Sequence, residues 1–316
     1  MPPLRLLFCG TPHFAVPTLE YLLSQSDFEI AAVITQPDRP RGRGQQVSSS
    51  PVKETALARN ITVHQPEKIR SPETQALLQS LAPDVIVIIA YGQIIPARLL
   101  SIPKLGWINL HASLLPKYRG AAPINWAIAN GETTSGLTTM RIDAGMDTGD
   151  TLLQEKIKIA PDETAPRLTQ KMSEAGAPLM AETLRGIASG KLIPQPQNHE
   201  EATYAPLLKK EDGRIDWNRP AQEIYNRMRA FDPWPGAFTS FRAQACHLWA
   251  EPFSSRTLNG SPPGTILQEP GEILIACGHT TLLRLLSVKV QGRKQVSAVE
   301  FANGARLTQR ERFDNT

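Results

Sequence analysis

Cysteine is scarce in this chain. Three thiols, Cys9, Cys246 and Cys277, are scattered through 316 residues with no Cys-x-x-Cys pair. That excludes a disulfide framework and a zinc site, and it points to a reducing compartment. Long apolar runs are missing as well. No stretch approaches the roughly 20 apolar residues of a membrane span. The opening "MPPLRLLFCGTPHF" carries too short an apolar run for a secretion signal. A soluble, cytoplasmic protein with no membrane partner is therefore expected. Phosphate-binding signatures are absent too. The first strand ends in "CGTPHF", with one glycine where a dinucleotide fingerprint needs G-x-G-x-x-G. The loop "RPRGRGQQ" contains G-R-G but does not open a helix directly after a strand, and no G-x-x-x-x-G-K-[ST] occurs. Nicotinamide binding is disfavoured.

What is present bounds the architecture. Hydrophobic residues make up 41%, enough for a sizeable core, so disorder is not expected. At 316 residues the chain is too long for one ordinary domain, and two are expected. The charge is uneven. Residues 1–208 carry 19 Lys+Arg and 19 Asp+Glu, whereas residues 209–316 carry 15 and 11, so the whole excess of +4 lies in the C-terminal third. Such an asymmetry marks either a surface for a polyanion or a solvated face with a slight basic bias. Four charges alone favour the second.

The first half alternates strand and helix signals. "LRLLFCG" reads as a buried strand, "FAVPTLEYLLSQ" as a helix and "EIAAVIT" as a second strand. "SPVKETALARN" predicts a helix with Ser50 as N-cap, Pro51 at the first helical position and Glu54 near the capping-box position. "ITVHQ" is short and β-branched, and "SPETQALLQSLA" repeats the Ser-Pro helix start. "DVIVIIAYG" is a continuous apolar run, as expected of a strand covered on both faces. "GWINLHA" is the next strand, and "APINWAIANG" the next helix, ended by Gly131. This order predicts a doubly wound α/β domain. Beyond residue 132, "TTSGLTTMRI" and "GDTLLQEKIKI" read as strands joined by a Gly/Asp turn, followed by a long helix over 162–191. The Pro-rich, polar stretch 192–213 reads as a linker, and "RPAQEIYNRMRAF" as a helix. The remainder shows short strand-like segments, "GAFTSF", "CHLWAEPF", "GTILQ", "EILIACG", "TLLRLLSVKV" and "VEFANGARL". Their spacing predicts a small all-β barrel or sandwich.

Three stretches hold candidate chemistry. In "INLHASLLPKYRGAAP", Asn109 and His111 share one face of a strand, at the end where open α/β sheets bind ligands. An amide beside a group titrating near neutrality suits an oxygen that turns negative during acyl transfer. A satisfied core histidine next to a turn-initiating Asn is an equally good account. In "RIDAGMDTGD", Asp147 could serve as a general base or orient an imidazole, but taken alone a plain Asp/Gly turn through Asp143, Asp147 and Asp150 is the better account of the composition. The spacing does not fit an EF-hand, and the terminal Glu is missing. In "PDRPRGRGQ", Arg39, Arg41 and Arg43 make either a phosphate-contacting loop or an exposed solubilising one.

Taken together, "FCGTPHFAVPTLEYL", "TQPDRPRGRGQQ", "SPVKETA", "DVIVIIAYGQIIP", "GWINLHASLLPKYRGAAPINWAI", "TTMRIDAGMDTGD" and "FDPWPGAF" resemble the methionyl-tRNA formyltransferase family over nearly the whole chain. The motif of Asn, His, SLLP and RGAAPI is specific to folate-dependent formyltransferases, and the arginine loop with a C-terminal domain resembles the tRNA-acting branch. The resemblance implies a Rossmann-like formyltransferase domain over 1–189, a linker over 190–208 and an OB-like β-barrel that binds tRNA over 209–316. It implies 10-formyltetrahydrofolate as formyl donor, the α-amino group of methionyl-initiator tRNA as acceptor, no bound metal and a monomer.

Residue by residue, the resemblance makes Asn109, His111 and Asp147 catalytic. It puts folate contacts on Ser113, Leu114, Leu115 and Pro116, and on Tyr91, Gly92, Gln93, Ile94 and Ile95. Arg39, Arg41 and Arg43 fall on the tRNA-probing loop, with Arg43 expected to reach the acceptor stem. Lys289, Arg293, Lys294, Arg306 and Arg310 of the basic C-terminal domain are expected to add nonspecific affinity. Departures are His13 where Asp is frequent, Lys117-Tyr118 where Arg-Trp is common, and the tail "FANGARLTQRERF", whose tRNA contacts stay unassigned. None touches the three catalytic positions. Two other readings remain: a formyltransferase acting on an amino sugar nucleotide or a purine precursor, and a noncatalytic RNA-binding protein. The arginine loop speaks against the first, and the intact triad against the second.

Overall fold

A computed structural model describes residues 2–41, 46–254, 260–308 and 311–314. Contacts divide the chain into two compact units. The first comprises Met1–Pro123, Thr134–Lys158 and Leu168–Ala205, and the second Ile124–Thr133, Ile159–Arg167 and Pro206–Thr316.

The first unit follows the predicted α/β alternation. Its elements are β1 (Leu4–Gly10), α1 (Val16–Ser24), β2 (Phe28–Ile34), the short hairpin β3 (Arg39–Arg41) and β4 (Gln46–Ser48), α2 (Pro51–Ala58), β5 (Val63–His64), α3 (Pro72–Leu81), β6 (Val85–Ile89), α4 (Ala97–Leu100) and β7 (Trp107–His111). Helix α5 (Pro123–Ala129) clusters with the second unit, and β8 (Thr134–Arg141), β9 (Thr151–Lys158) and most of α6 (Ala165–Ala188) return to the first. Seven strands form one sheet in the order β5-β2-β1-β6-β7-β8-β9. Strands β5 to β7 run parallel, and β8 and β9 are antiparallel additions at one edge. All five residues of β6 are buried, which explains its unbroken apolar run. The order reverses between β1 and β6, and in such sheets the crevice beyond the strand ends at that point takes the ligand.

The Ser-Pro helix starts fold as predicted. Ser50 and Ser71 accept the backbone N–H of Lys53 and Thr74, with Pro51 and Pro72 at the first helical positions. No capping box forms at Ser50: the third helical residue is Lys53, and Glu54 stands one position too far on. The Ser50 hydroxyl instead shares a second hydrogen bond with Thr35, at 2.7 Å. The Pro-rich stretch after α6 stays with the first unit through Ala205. Thr151 and Gln195 exchange backbone hydrogen bonds of 2.8 Å, and the N–H of Ala205 donates to the carbonyl of Arg119 at 2.7 Å.

The second unit carries α7 (Ala221–Ala230), β10 (Phe238–Phe241), β11 (Gln244–Phe253), β12 (Ile266–Glu269), β13 (Glu272–Ala276), β14 (Leu282–Val290), β15 (Val296–Ser297) and α8 (Ala298–Ala305). Its antiparallel sheet runs β10-β11-β14-β13-β12, with β15 on β14. Isolated bridges pair Arg312 with Thr265, just before β12, and Asp314 with Ser240 of β10. Phe313, fully buried, stacks on Trp217 with ring centroids 5.7 Å apart.

One sequence expectation is corrected here. "VEFANGARL" is strand-like in composition but lies mostly in α8. Ser297 and Glu300 form a capping box, and Ala298, Phe301 and Ala302 bury one helical face. Among the described residues, no helix is long and apolar enough to cross a membrane.

Candidate active site

Strand β7 delivers Asn109 and His111 to the carboxyl edge of the sheet, beside the reversal point. His111 is buried at 6% exposure. Its Nε2 lies 2.9 Å from the backbone oxygen of Tyr118. A carbonyl only accepts, so Nε2 donates and the neutral ring keeps its proton there. Nδ1 is left facing Asp147 Oδ2 at 3.7 Å. Tyr118 therefore sets the tautomer. Asn109 is partly buried, and its carboxamide makes no hydrogen bond with a described residue.

Asp147 lies between β8 and β9 with φ 55°, in the left-handed region. Its Oδ2 accepts the N–H of Gly120 at 2.8 Å. Asp143 is engaged inside its own turn, where it accepts from Thr148 Oγ1 at 2.7 Å and the N–H of Gly145 at 2.9 Å. Asp150 accepts the N–H of Arg141 through its backbone. Of the three acids in this loop, Asp147 is the one at ion-pairing distance from His111.

The loop after β7 is tied down at several points. Thr138 Oγ1 donates to the carbonyl of Ser113 at 2.7 Å and accepts the N–H of Leu115 at 3.1 Å. Gln154 Nε2 donates to the carbonyl of Leu115 at 2.8 Å. Thr203 accepts the N–H of Tyr118 through its hydroxyl and the N–H of Arg119 through its carbonyl, both at 2.8 Å. Ser113 is fully buried, and its hydroxyl donates to the carbonyl of Lys117 at 2.6 Å. Leu115 is buried as well, whereas Leu114 and Pro116 keep some exposed surface.

The segment after β6 lies at the reversal point. Tyr91 is buried, its carbonyl accepts from Thr11 Oγ1 at 3.0 Å and Gln36 Nε2 at 3.1 Å, and its hydroxyl has no hydrogen-bond partner among the described residues. Burial pushes its phenol well above the ordinary value. Gly92 has φ 90°, which suits glycine. Gln93 accepts the N–H of Ile69 at 2.7 Å. Ile95 is buried, and Ile94 is 90% exposed, an unusual amount of bare apolar surface beside a ligand crevice.

Arg39 is exposed, in a strand that pairs with residues 46–48. Arg41 ends that strand. Arg43 lies outside the described residues, as does Arg310. Lys53 bonds Asp38 just before the hairpin and holds its carboxyl below the usual range, helped by Gln65 at 2.8 Å.

Sequence reasoning missed Thr138, Gln154, Thr203 and a buried pair, Arg119 and Gln197. Arg119 Nε and Nη2 donate to Gln197 Oε1 at 3.1 and 2.7 Å. Gln197 Nε2 donates to the carbonyls of Asp147 at 2.9 Å and Gly149 at 2.7 Å. No local motif carries these contacts, since the partners are far apart in sequence. The "YRG" arginine inside a quoted motif was the one available signal.

Residues 4–184 match the family described as Formyl transferase, and residues 207–306 match Formyl transferase, C-terminal domain. The methionyl-tRNA formyltransferase of Solibacter usitatus (strain Ellin6076) is 51% identical over 311 residues, covering 98% of each chain. That of Koribacter versatilis (strain Ellin345) is 51% identical over 302 residues, covering 95% of this chain and 96% of its own. The crystal structure of an N-formyltransferase from Helicobacter canadensis, in complex with folinic acid and dTDP-3-aminofucose, superposes with a TM-score of 0.66 over 89% of this chain and 98% of its own. At 21% identity that likeness concerns the fold. The chain belongs to the methionyl-tRNA formyltransferase family.

Proposed function

We propose that this protein transfers the formyl group of 10-formyltetrahydrofolate to the α-amino group of methionyl-initiator tRNA, giving N-formylmethionyl-tRNA for translation initiation. The observation that carries this reading is identity of about half the chain to methionyl-tRNA formyltransferases over nearly their full length. The placement of Asn109, His111 and Asp147 supports the roles that follow.

The amine nitrogen attacks the formyl carbon and generates a tetrahedral oxyanion. The free carboxamide of Asn109 donates to that oxygen. His111 donates from Nδ1 in its protonated form, because Nε2 is engaged by Tyr118. Asp147, 3.7 Å away, balances the imidazolium charge and, directly or through a water, takes the proton that the attacking amine releases. Collapse breaks the bond from the formyl carbon to the folate nitrogen, which leaves with a proton.

The folate lies along Tyr91, Gly92, Gln93, Ile94 and Ile95 and against the loop of Ser113, Leu114, Leu115 and Pro116. Ile94, Leu114 and Pro116 offer the side-chain surface. Ser113 and Leu115 act by shaping the loop, since their side chains are turned inward. Arg39, Arg41 and Arg43 contact the acceptor end of the tRNA, and the basic C-terminal domain adds affinity. The catalytic part extends through Ala205, where the first unit ends, and residues 209–316 are the tRNA-binding part, in a cytoplasmic monomer.

The test is formyl transfer from 10-formyltetrahydrofolate to methionyl-tRNA, with free methionine and an amino sugar nucleotide as competing acceptors. Transfer to the sugar nucleotide in preference to the tRNA would overturn this function.

A further inference from the structure

Arg119 is 2% exposed, and among the described residues no carboxylate pairs with it. A buried guanidinium ordinarily takes an acidic partner, because an unpaired charge is poorly tolerated away from water. Here three of its N–H bonds end on two neutral side chains. Nε and Nη2 both reach Gln197 Oε1, and Nη2 also lies 3.1 Å from His199 Nδ1.

An amide does something in this position that a carboxylate cannot. Once Oε1 is held by the guanidinium fork, the orientation of the amide is set, and both N–H bonds of Nε2 point the other way. They donate to the carbonyls of Asp147 and Gly149, at 2.9 and 2.7 Å. Those carbonyls flank Thr148, in the loop where Asp147 adopts φ 55°. A carboxylate at residue 197 would satisfy Arg119 better but would turn its second oxygen toward two carbonyl oxygens. Gln197 is itself 8% exposed, so water competes little for these bonds.

We infer that Gln197, aimed by Arg119, is a positioning residue that holds the Asp147 backbone in the left-handed conformation placing Oδ2 at 3.7 Å from His111 Nδ1 and 2.8 Å from the Gly120 N–H. This rests on the role proposed above for Asp147. It separates two functions of one side chain: Oε1 serves the fold by satisfying a buried cation, and Nε2 serves the reaction by fixing the acid.

The variant Gln197→Glu separates them experimentally. It keeps an acceptor for Arg119 and removes both donors to the Asp147 loop. With the full-length protein, 10-formyltetrahydrofolate and methionyl-tRNA, kcat is expected to fall about 10²-fold, the scale of a catalytic group displaced by about 1 Å. KM for both substrates stays within about twofold, since binding groups are untouched. Some loss of melting temperature is expected, because two carbonyls lose their donor, so kcat is read on folded protein well below the transition. In an Asp147→Asn background the same substitution costs no further activity, because its effect passes through Asp147. Gln197→Asn, whose amide is one methylene short, is a second variant from which the same split is expected. Wild-type kcat in Gln197→Glu, or an equal loss in both backgrounds, overturns the inference. Full activity of Asp147→Asn alone overturns the role of Asp147 itself and shows in that single variant, whereas a failure confined to Gln197 leaves that role standing.

Discussion

The backbone carbonyl of Tyr118 accepts a hydrogen bond from His111 Nε2 at 2.9 Å, and this bond decides that Nδ1 is the nitrogen turned toward Asp147. A side chain cannot be deleted from residue 118 to remove a backbone oxygen, so the constraint is tested from the imidazole. His111→Ala removes one oxyanion donor, and kcat is expected to fall on the order of 10²–10³-fold. Asp147→Asn is expected to lose turnover as well while folding normally. Steady-state kinetics with a circular dichroism melt checks both. Near wild-type turnover in either folded variant would remove that residue from the mechanism.

Thr138 is fully buried, and its hydroxyl joins Ser113, Leu115 and Gln154. Thr138→Val keeps the shape and strands the carbonyl of Ser113 and the N–H of Leu115. The expected destabilisation is about 1–3 kcal/mol, the scale of buried polar groups left unpaired. KM for 10-formyltetrahydrofolate is expected to rise, because the loop carrying Leu114 and Pro116 loses its anchor. An unchanged midpoint in urea would contradict this.

Gly120 combines φ 115° with a close approach: a Cβ there would lie 2.8 Å from the carbonyl oxygen of Ala205. Its N–H is the one that bonds Asp147. Gly120→Ala is therefore expected to cost about 1–3 kcal/mol of stability through strain and to lower kcat by shifting the Asp147 partner. Thermal denaturation together with kinetics reads both effects, and a variant as stable and active as the parent refutes the strain.

The three thiols are buried, and burial pushes Cys246 and Cys277 up to about 12, with Cys9 raised as well. Thiolate is the reactive form, so at pH 8 the native protein is expected to resist a thiol reagent. In denaturant all three cysteines titrate. Rapid native labelling of Cys246 or Cys277, read by mass spectrometry, would show that the antiparallel sheet opens.

Arg43→Ala is expected to raise KM for methionyl-tRNA and flatten the dependence on salt, since each lost phosphate contact removes released counterions. Kinetics at several salt concentrations decides this, and an unchanged slope and KM would take the loop out of tRNA binding.

Local chemistry made much of this molecule legible. The Ser50-Pro51 and Ser71-Pro72 starts are helix caps because serine oxygen and proline geometry act within three residues. The apolar run of β6 announced a doubly covered strand for a similarly local reason. The alternation of β7 put Asn109 and His111 on one face, and the family resemblance joined Asp147 to them across 36 positions that no periodicity spans. Residues 299–307 misled because alternating apolar residues in a short segment suit either period, and the capping box at Ser297 decided for helix.

The sequence by itself therefore determined the order of elements, the family and the three side chains proposed for the chemistry, all of which rest on neighbours along the chain or on a motif. Only the tertiary structure decided how those side chains are held. The His111 tautomer, the anchoring of the loop by Thr138, the Arg119–Gln197 pair and the bridges on either side of Phe313 all depend on groups brought together from distant positions. Hydrogen bonds of this kind leave no period and no spacing. They exist because a buried polar group must find a partner wherever the fold supplies one.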